Sequence, residues 1–406
     1  MALFHRKGRT ALAVALGAVL SAVVACSTVI PGVAQATPSG AADESNPLGL
    51  KAQSAELVDV ATDEVLYHYG EHTKIQPASL AKLMTFELTL QALHDGHAKL
   101  DEPVTVSEKA WRLSMDQGVS RMFIEVGDQV PLETMLYGLM VASGNDAAVA
   151  IAEHLAGSEE AFVAQMNKRA AELGMTETHY VNSHGLYADG QYTTAADTAK
   201  LAVHILRTYP DATKYTSPPS FEYGGISQPN WNGLVRRDAR VDGLKTGHLS
   251  QAGYHMTASA QDGDMRLVAV VMGTTGERAR EDEALALLNY GFSNYVTLRP
   301  DIRKVLPSLI PVYKGGVRMA PVETKHTVAV TVAKDEANSL KIQADLPPFL
   351  EAPVRKGTQV GTLRLSTGGR TWEEPVVATQ AVPRGGLFRV AWDSVRLFFR
   401  NVMARF

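Results

Sequence analysis

Cysteine is almost missing from this chain: among 406 residues the one instance is Cys26. A single thiol closes no bridge, so the fold is held without an internal disulfide. A basic excess is missing as well. Lys and Arg number 39 against 43 Asp and Glu, a formal charge of −4 with pI near 6.3, which excludes the concentrated basic footprint of a nucleic-acid binder. There are no internal repeats and no low-complexity tracts. A composition 45% hydrophobic and 20% charged is that of an ordinary globular chain, long enough for two domains. His179, His184 and His248 lack the spacing of a ligand set framed by a helix or hairpin, so the expectation is no metal and no cofactor.

What is present begins with an export signal. Arg6, Lys7 and Arg9 precede an apolar run from Ala11 to about Ile30, which Pro31-Gly32 breaks before Ala34-Gln35-Ala36, a small-residue cleavage site. Residues 1–36 are expected to be removed, taking the formal charge from −4 to −7 and the cysteine with it. Within the same segment, Val23-Val24-Ala25-Cys26 offers a rival reading as a lipoprotein signal with lipid on Cys26. Residues 37–50 are small and polar, a flexible lead.

The chain is organised around Pro77-Ala78-Ser79-Leu80-Ala81-Lys82. The proline and the apolar segment after it predict a helix with Ser79 in its first turn, and Lys82, three residues on, sharing its face. An ammonium beside a hydroxyl at a helix N-terminus supplies a base for a weak alcohol, provided apolar neighbours and other cations lower the lysine pKa. A lone Ser-x-x-Lys means little. Here Ser143-Gly144-Asn145 follows 64 positions after Ser79, and Lys245-Thr246-Gly247 follows 102 positions after Ser143.

Around these motifs the periodicity predicts a hairpin of residues 55–60 and 64–69 turning at Thr62-Asp63, and helices over 132–155 and 159–173 separated by Gly157, the first interrupted at Ser143. A further helix over 194–209 is capped by Thr193 or Thr194 and stopped by Pro210. Strands are expected over 241–246, 254–260 and 265–272, the last two joined at Asp262-Gly263, then a helix over 283–290. The expected fold is α/β (α+β), with helices on an antiparallel sheet, over residues 51–298. Residues 299–384, with short alternating runs at 327–332, 340–344, 360–365 and 374–378, read as a small all-β domain without a reactive constellation. Residues 385–406 place Phe388, Ala391, Trp392, Val395, Phe398, Phe399, Val402, Met403 and Phe406 on one arc, with Arg389, Arg396 and Arg400 along another side. That pattern is an interfacial amphipathic helix, too interrupted by charge to span a bilayer, with membrane lipid as its partner.

The three motifs together resemble the penicillin-binding protein and serine β-lactamase superfamily. Nearly the whole chain is similar to low-molecular-mass D-alanyl-D-alanine carboxypeptidases of the peptidase S11 kind. The resemblance implies that Ser79 is the acylated nucleophile, Lys82 its base, Ser143 a proton relay, Asn145 a holder of the peptide and Lys245 a positive charge near Ser143 and the substrate carboxylate. It implies substrate binding by Thr246, Gly247, His248 and Arg280. The N–H groups of Ser79 and His248 would receive the oxyanion, with Gly247 admitting substrate backbone to a strand edge. The substrate would be a peptidoglycan pentapeptide, β-lactams would bind covalently, and the enzyme would sit on the periplasmic face of the bacterial inner membrane. There is one departure: after Lys-Thr-Gly-His the family commonly has threonine, where this chain has Leu249 and then Ser250. A β-lactamase, a DD-endopeptidase and an inactive wall-binding scaffold are the rival readings. The first lacks its Glu-x-x-Leu-Asn between Ser143 and Lys245.

Overall fold

The computed structural model describes residues 46–403; the export signal, Cys26, most of the flexible lead, Arg405 and Phe406 lie outside the described residues. Strands β1 (Ser54–Asp59) and β2 (Val65–Tyr69) form the expected hairpin, with Asp63 supplying the left-handed turn residue (φ 59°). A 3-10 turn, Ala78–Ala81, then leads into α1 (Lys82–His94). Helices α2 (Glu108–Met115), α3 (Leu132–Met140), α4 (Asn145–Ala156), α5 (Glu159–Glu172) and α6 (Ala195–Thr208) follow, with two small hairpins, β3 (Pro103–Thr105) with β4 (Gln129–Pro131) and β5 (Ser220–Tyr223) with β6 (Ile226–Pro229), and the single turn α7 (Leu234–Arg237). Caps are where residue chemistry asks for them. Ser158 and Thr194 accept N–H bonds from Ala161 and Asp197, and Gly157 ends α4 in a left-handed conformation (φ 79°).

Strands β7 (Val241–Leu249), β8 (Gly253–Asp262) and β9 (Met265–Thr274) complete an antiparallel sheet in the order β2-β1-β9-β8-β7, which leaves β7 at an edge. Alternation divides β9 between two cores. Val268, Val270 and Met272 join the helical cluster of α1 and α3–α6, while Leu267, Ala269 and Val271 pack with Ala284, Leu287 and Leu288 of α8 (Glu277–Asn294). The sequence reading placed this last helix at 283–290. The helix starts at Glu277; its opening, Glu277-Arg278-Ala279-Arg280-Glu281-Asp282, has no apolar period to betray it in the sequence, yet packs beside the sheet with Arg280 buried.

The remaining strands are β10 (Tyr295–Leu298), β11 (Leu309–Tyr313), β12 (Met319–Thr324), β13 (Val330–Ala333), β14 (Lys341–Asp345), β15 (Leu350–Glu351), β16 (Gln359–Thr367) and β17 (Arg370–Ala378). Six of them form a sheet in the order β14-β16-β17-β12-β11-β15. Strands β11 and β12 went unread in the sequence because Pro311 and Pro321 mask the alternation that buries Ile310, Val312, Ala320 and Val322. β10 pairs with β13, and Thr62 Oγ1 meets Thr331 Oγ1 at 2.7 Å, tying this part to the first hairpin. Helix α9 (Leu387–Met403) closes the described chain.

Candidate active site

The three motifs, far apart in sequence, meet along the β7 edge of the sheet. Ser79 lies in the 3-10 turn immediately before α1 rather than inside an α-helical first turn. Lys82, the first residue of α1, reaches Ser79 Oγ at 2.9 Å. Ser143 occupies the break between α3 and α4 in a left-handed conformation (φ 57°), costly for a residue with a Cβ and sustained by the helices on either side. Lys245, on β7, donates to Ser143 Oγ at 2.9 Å and to Thr246 O at 3.1 Å. Asn145 opens α4 and accepts from Lys82 Nζ at 2.7 Å, while its amide nitrogen donates to Ser120 O at 2.9 Å.

Gly247 lets β7 pass close to the 3-10 turn: a Cβ there would lie 3.1 Å from Pro77 O and 3.2 Å from Ser79 N, a tight fit that would push the two backbones apart by a few tenths of an ångström. Arg280 is 2% exposed and donates to Gly247 O at 3.3 Å and Trp231 O at 3.4 Å, leaving Nε with no partner among the described residues. It is therefore not a surface arginine paired with its acidic neighbours; Glu281 is taken by Arg237 and Glu283 by the N–H groups of Lys51 and Ala52. Ser79, Ser143, Asn145, Thr246, Gly247, His248 and Arg280 line one cleft of about 590 Å³ together with Ser120, Leu186, Tyr187 and Trp231.

Comparison with known proteins bears on this arrangement. A family model described as peptidase S11, D-alanyl-D-alanine carboxypeptidase, matches residues 41–276, and one described as the C-terminal domain of penicillin-binding protein 5 matches residues 303–384. The chain belongs to the peptidase S11 family of D-alanyl-D-alanine carboxypeptidases. It is 36% identical over 380 residues to the D-alanyl-D-alanine carboxypeptidase DacA of Escherichia coli K12, covering 92% of this chain and 91% of that one. Penicillin-binding protein 5 of Haemophilus influenzae superposes with a TM-score of 0.75 at 34% identity, covering 82% and 98% of the two chains. The cefotaxime-bound penicillin-binding protein D2 of Listeria monocytogenes superposes with a TM-score of 0.55 at 28% identity, over 60% of this chain and 98% of that one.

Burial sets the electrostatics of this S11 site. Lys82 is fully buried, and desolvation, reinforced by the charge of Lys245 and opposed by Asp146, holds its pKa well below that of an ordinary lysine. Lys245 is brought down to about 7, first by burial and then by Arg280. Burial lowers Arg280 as well, against Glu277 and Glu281. Three basic groups thus converge out of contact with bulk water, and the charge on Lys245 and on Arg280 makes Lys82 and Lys245, respectively, lose a proton more readily than an ordinary lysine.

Several participants were invisible to sequence reasoning. His184, weighed there only as a metal ligand, contributes its backbone carbonyl, which accepts from Lys82 Nζ at 2.7 Å; a carbonyl carries no residue-type signal. Its ring stays uncharged, its pKa lowered to about 4 mainly by burial. Asp146, buried next to Asn145, accepts from Ser114 Oγ and from the N–H groups of Met122 and Phe123, fixing the segment whose Ser120 carbonyl holds the Asn145 amide. Its adjacency to the Ser-Gly-Asn motif was the one available signal. Trp231, 43% exposed, donates Nε1–H to Ala142 O at 3.2 Å, one residue before Ser143. Leu249 and Ser250, the departure from the family pattern, both line the cleft. His179 instead contacts Gly190 O, and His248 stacks on Tyr254 with ring centroids 3.9 Å apart.

Proposed function

We propose that this protein removes the terminal D-alanine from peptidoglycan pentapeptides through an acyl-enzyme on Ser79. The observation that carries the reading is Lys82: a fully buried amine, 2.9 Å from Ser79 Oγ, with a depressed pKa and a second lysine facing the other side of the cleft through Ser143. Neutral Lys82 takes the Ser79 proton as Oγ attacks the carbonyl carbon of the penultimate D-alanine. The resulting oxyanion accepts from the N–H groups of Ser79 and His248, and collapse breaks the C–N bond. The departing amine takes the proton of Ser143, which Lys245 replaces. The proton on Lys82 passes through solvent to Lys245, restoring both amines; water then hydrolyses the ester, with Lys82 taking its proton and returning it to Ser79 Oγ as the C–O bond breaks. Substrate backbone adds to the free edge of β7, and the terminal carboxylate reaches the positive field of Lys245 and Arg280. A β-lactam would acylate the same oxygen, in keeping with the cefotaxime-bound form of the Listeria relative.

Mass spectrometry of products from a disaccharide pentapeptide and from a cross-linked dimer tests this. The expected result is loss of one alanine from the pentapeptide with the dimer intact; a split dimer beside untouched pentapeptide would make the chain a DD-endopeptidase instead.

We also propose that residues 385–406 hold the exported enzyme on the periplasmic face of the inner membrane. Phe388, Trp392, Phe398 and Met403 of α9 are exposed, whereas Leu397 is buried and Asp393 accepts from Lys314 N at 2.7 Å, so the apolar arc is turned outward. Arg389 pairs with Asp393, Arg396 lies over Tyr313 and Arg400 over Phe349. The arginines thereby dock the helix as well as facing headgroups at its flank. No helix among the described residues is long and apolar enough to cross a membrane.

A further inference from the structure

A neutral amine has two N–H groups and one lone pair. In Lys82 the two N–H groups have fixed acceptors, Asn145 Oδ1 and His184 O, both at 2.7 Å, which leaves the lone pair for the Ser79 hydroxyl at 2.9 Å. The aim of the base therefore depends on where the His184 carbonyl sits. That carbonyl belongs to residues 182–186, which form neither helix nor strand, so side chains must hold it. Thr85 Oγ1 donates to Ser183 O at 2.6 Å, and Gly185 (φ 90°) lies so close to the 3-10 turn that a Cβ would come within 1.8 Å of Ala78 O. Opposite, Glu159 Oε1 accepts from Ser183 N at 2.9 Å and from Ser183 Oγ at 2.7 Å. Glu159 is the first residue of α5, is itself buried, and its second oxygen is paired with Lys109 at 2.9 Å. It is not among the residues that line the Ser79 cleft.

We propose that Glu159 is a positioning residue for the general base: its carboxylate clamps Ser183 through the N–H and the hydroxyl of that residue, so that the carbonyl of the next residue, His184, directs the Lys82 lone pair at Ser79. The proposal rests on the reading of Lys82 as base. It explains why a buried carboxylate is kept some way from the reacting atoms, where an apolar side chain could fill the space but could not bind an N–H and a hydroxyl together.

The test measures acylation of the mature protein by a fluorescent penicillin, in single turnover, for Glu159→Ala, Glu159→Gln and Ser183→Ala, each with Lys82 present and in a Lys82→Ala background. Glu159→Ala is expected to lower the acylation rate constant about ten- to a hundredfold, the scale of a small misplacement of a reacting group, with the dissociation constant of the non-covalent complex unchanged. Glu159→Gln should recover part of the loss, because its amide oxygen still accepts from Ser183. In the Lys82→Ala background the Glu159 effect should vanish. A folded Glu159→Ala protein acylating at the parent rate, or an equal loss with and without Lys82, overturns the proposal. Should Glu159→Ala not fold, Ser183→Ala deletes one hydrogen bond of the clamp: about threefold slower acylation that depends on Lys82 supports it, and no change overturns it. If Lys82→Ala alone acylates near the parent rate, the assignment of the base fails, an outcome separable from any result at Glu159.

Discussion

Lys82, Lys245 and Arg280 are buried, while Phe388, Trp392 and Phe398 are 95%, 66% and 65% exposed. The first group sits in the helix-and-sheet region, the second on the helix that follows the β-rich region. Each inverts the usual distribution of side chains, and the inversions have different physical outlets. A buried cation must find acceptors or surrender its proton, so it becomes a reagent. An exposed phenylalanine cannot change its chemistry. It can only find apolar surroundings, each buried ring being worth roughly 1.5–3 kcal/mol, so it becomes a surface for association. The β-sheet between them is closer to the ordinary pattern: Ile310, Val312, Leu363 and Leu365 are inside, and its exposed apolar side chains, Leu309 and Met319, are scattered singly at strand starts.

The two regions can be broken independently. The largest effect belongs to Ser79→Ala, which should abolish hydrolysis and covalent penicillin labelling together; labelling that survives would remove the nucleophile assignment. Next is Lys82→Ala, which should nearly stop acylation while the circular dichroism spectrum and melting temperature stay close to the parent's. Acylation near the parent rate would reduce Lys82 to a structural role.

Lys245→Arg sharpens the comparison within the cleft. A planar guanidinium does not fit where a compact ammonium bonds Ser143 Oγ and Thr246 O, so activity should fall at least about tenfold, about 1.4 kcal/mol of transition-state stabilisation. The pH profile carries a further signature. With the Lys245 pKa lowered to about 7, its charge is present below that pH and lost as pH rises through it, so kcat/KM of the parent should decline on the alkaline side of neutrality. In Lys245→Arg that limb should disappear, because the guanidinium stays charged. The acid limb, where Lys82 regains its proton, should remain; an unchanged alkaline limb would show that another group sets it.

Truncation at Gly385 should leave hydrolysis of a small soluble pentapeptide unchanged and abolish co-sedimentation with vesicles. A truncated protein that still sediments would shift the anchor to lipid on Cys26. The smallest effect is expected from Arg396→Gln combined with Arg400→Gln, which should weaken sedimentation chiefly with anionic vesicles, each arginine near the surface contributing about 1 kcal/mol. Because both side chains also lie over rings of the β-rich region, a small fall in melting temperature should accompany it. Equal loss on neutral and anionic vesicles would mean that docking, not charge, was removed.

Ser-x-x-Lys, Ser-Gly-Asn and Lys-Thr-Gly could be read from the sequence because each is short and each makes its geometry locally: a turn before a helix, a break between helices, a strand. The hairpin at Asp63, the helix break at Gly157, the cap at Thr194 and the arc of α9 were legible for the same reason. Tertiary structure alone decided what closes around those motifs. Trp231 and the His184 carbonyl enter the site through long-range contacts that leave no periodic trace, and the opening of α8 leaves none either: the resemblance had named Arg280, but its burial beside Gly247 is a product of the fold. Local residue chemistry determines which groups can react. The depressed pKa of Lys82 is a property of the surrounding fold, because desolvation depends on everything packed within a few ångströms and on nothing written in the neighbouring sequence.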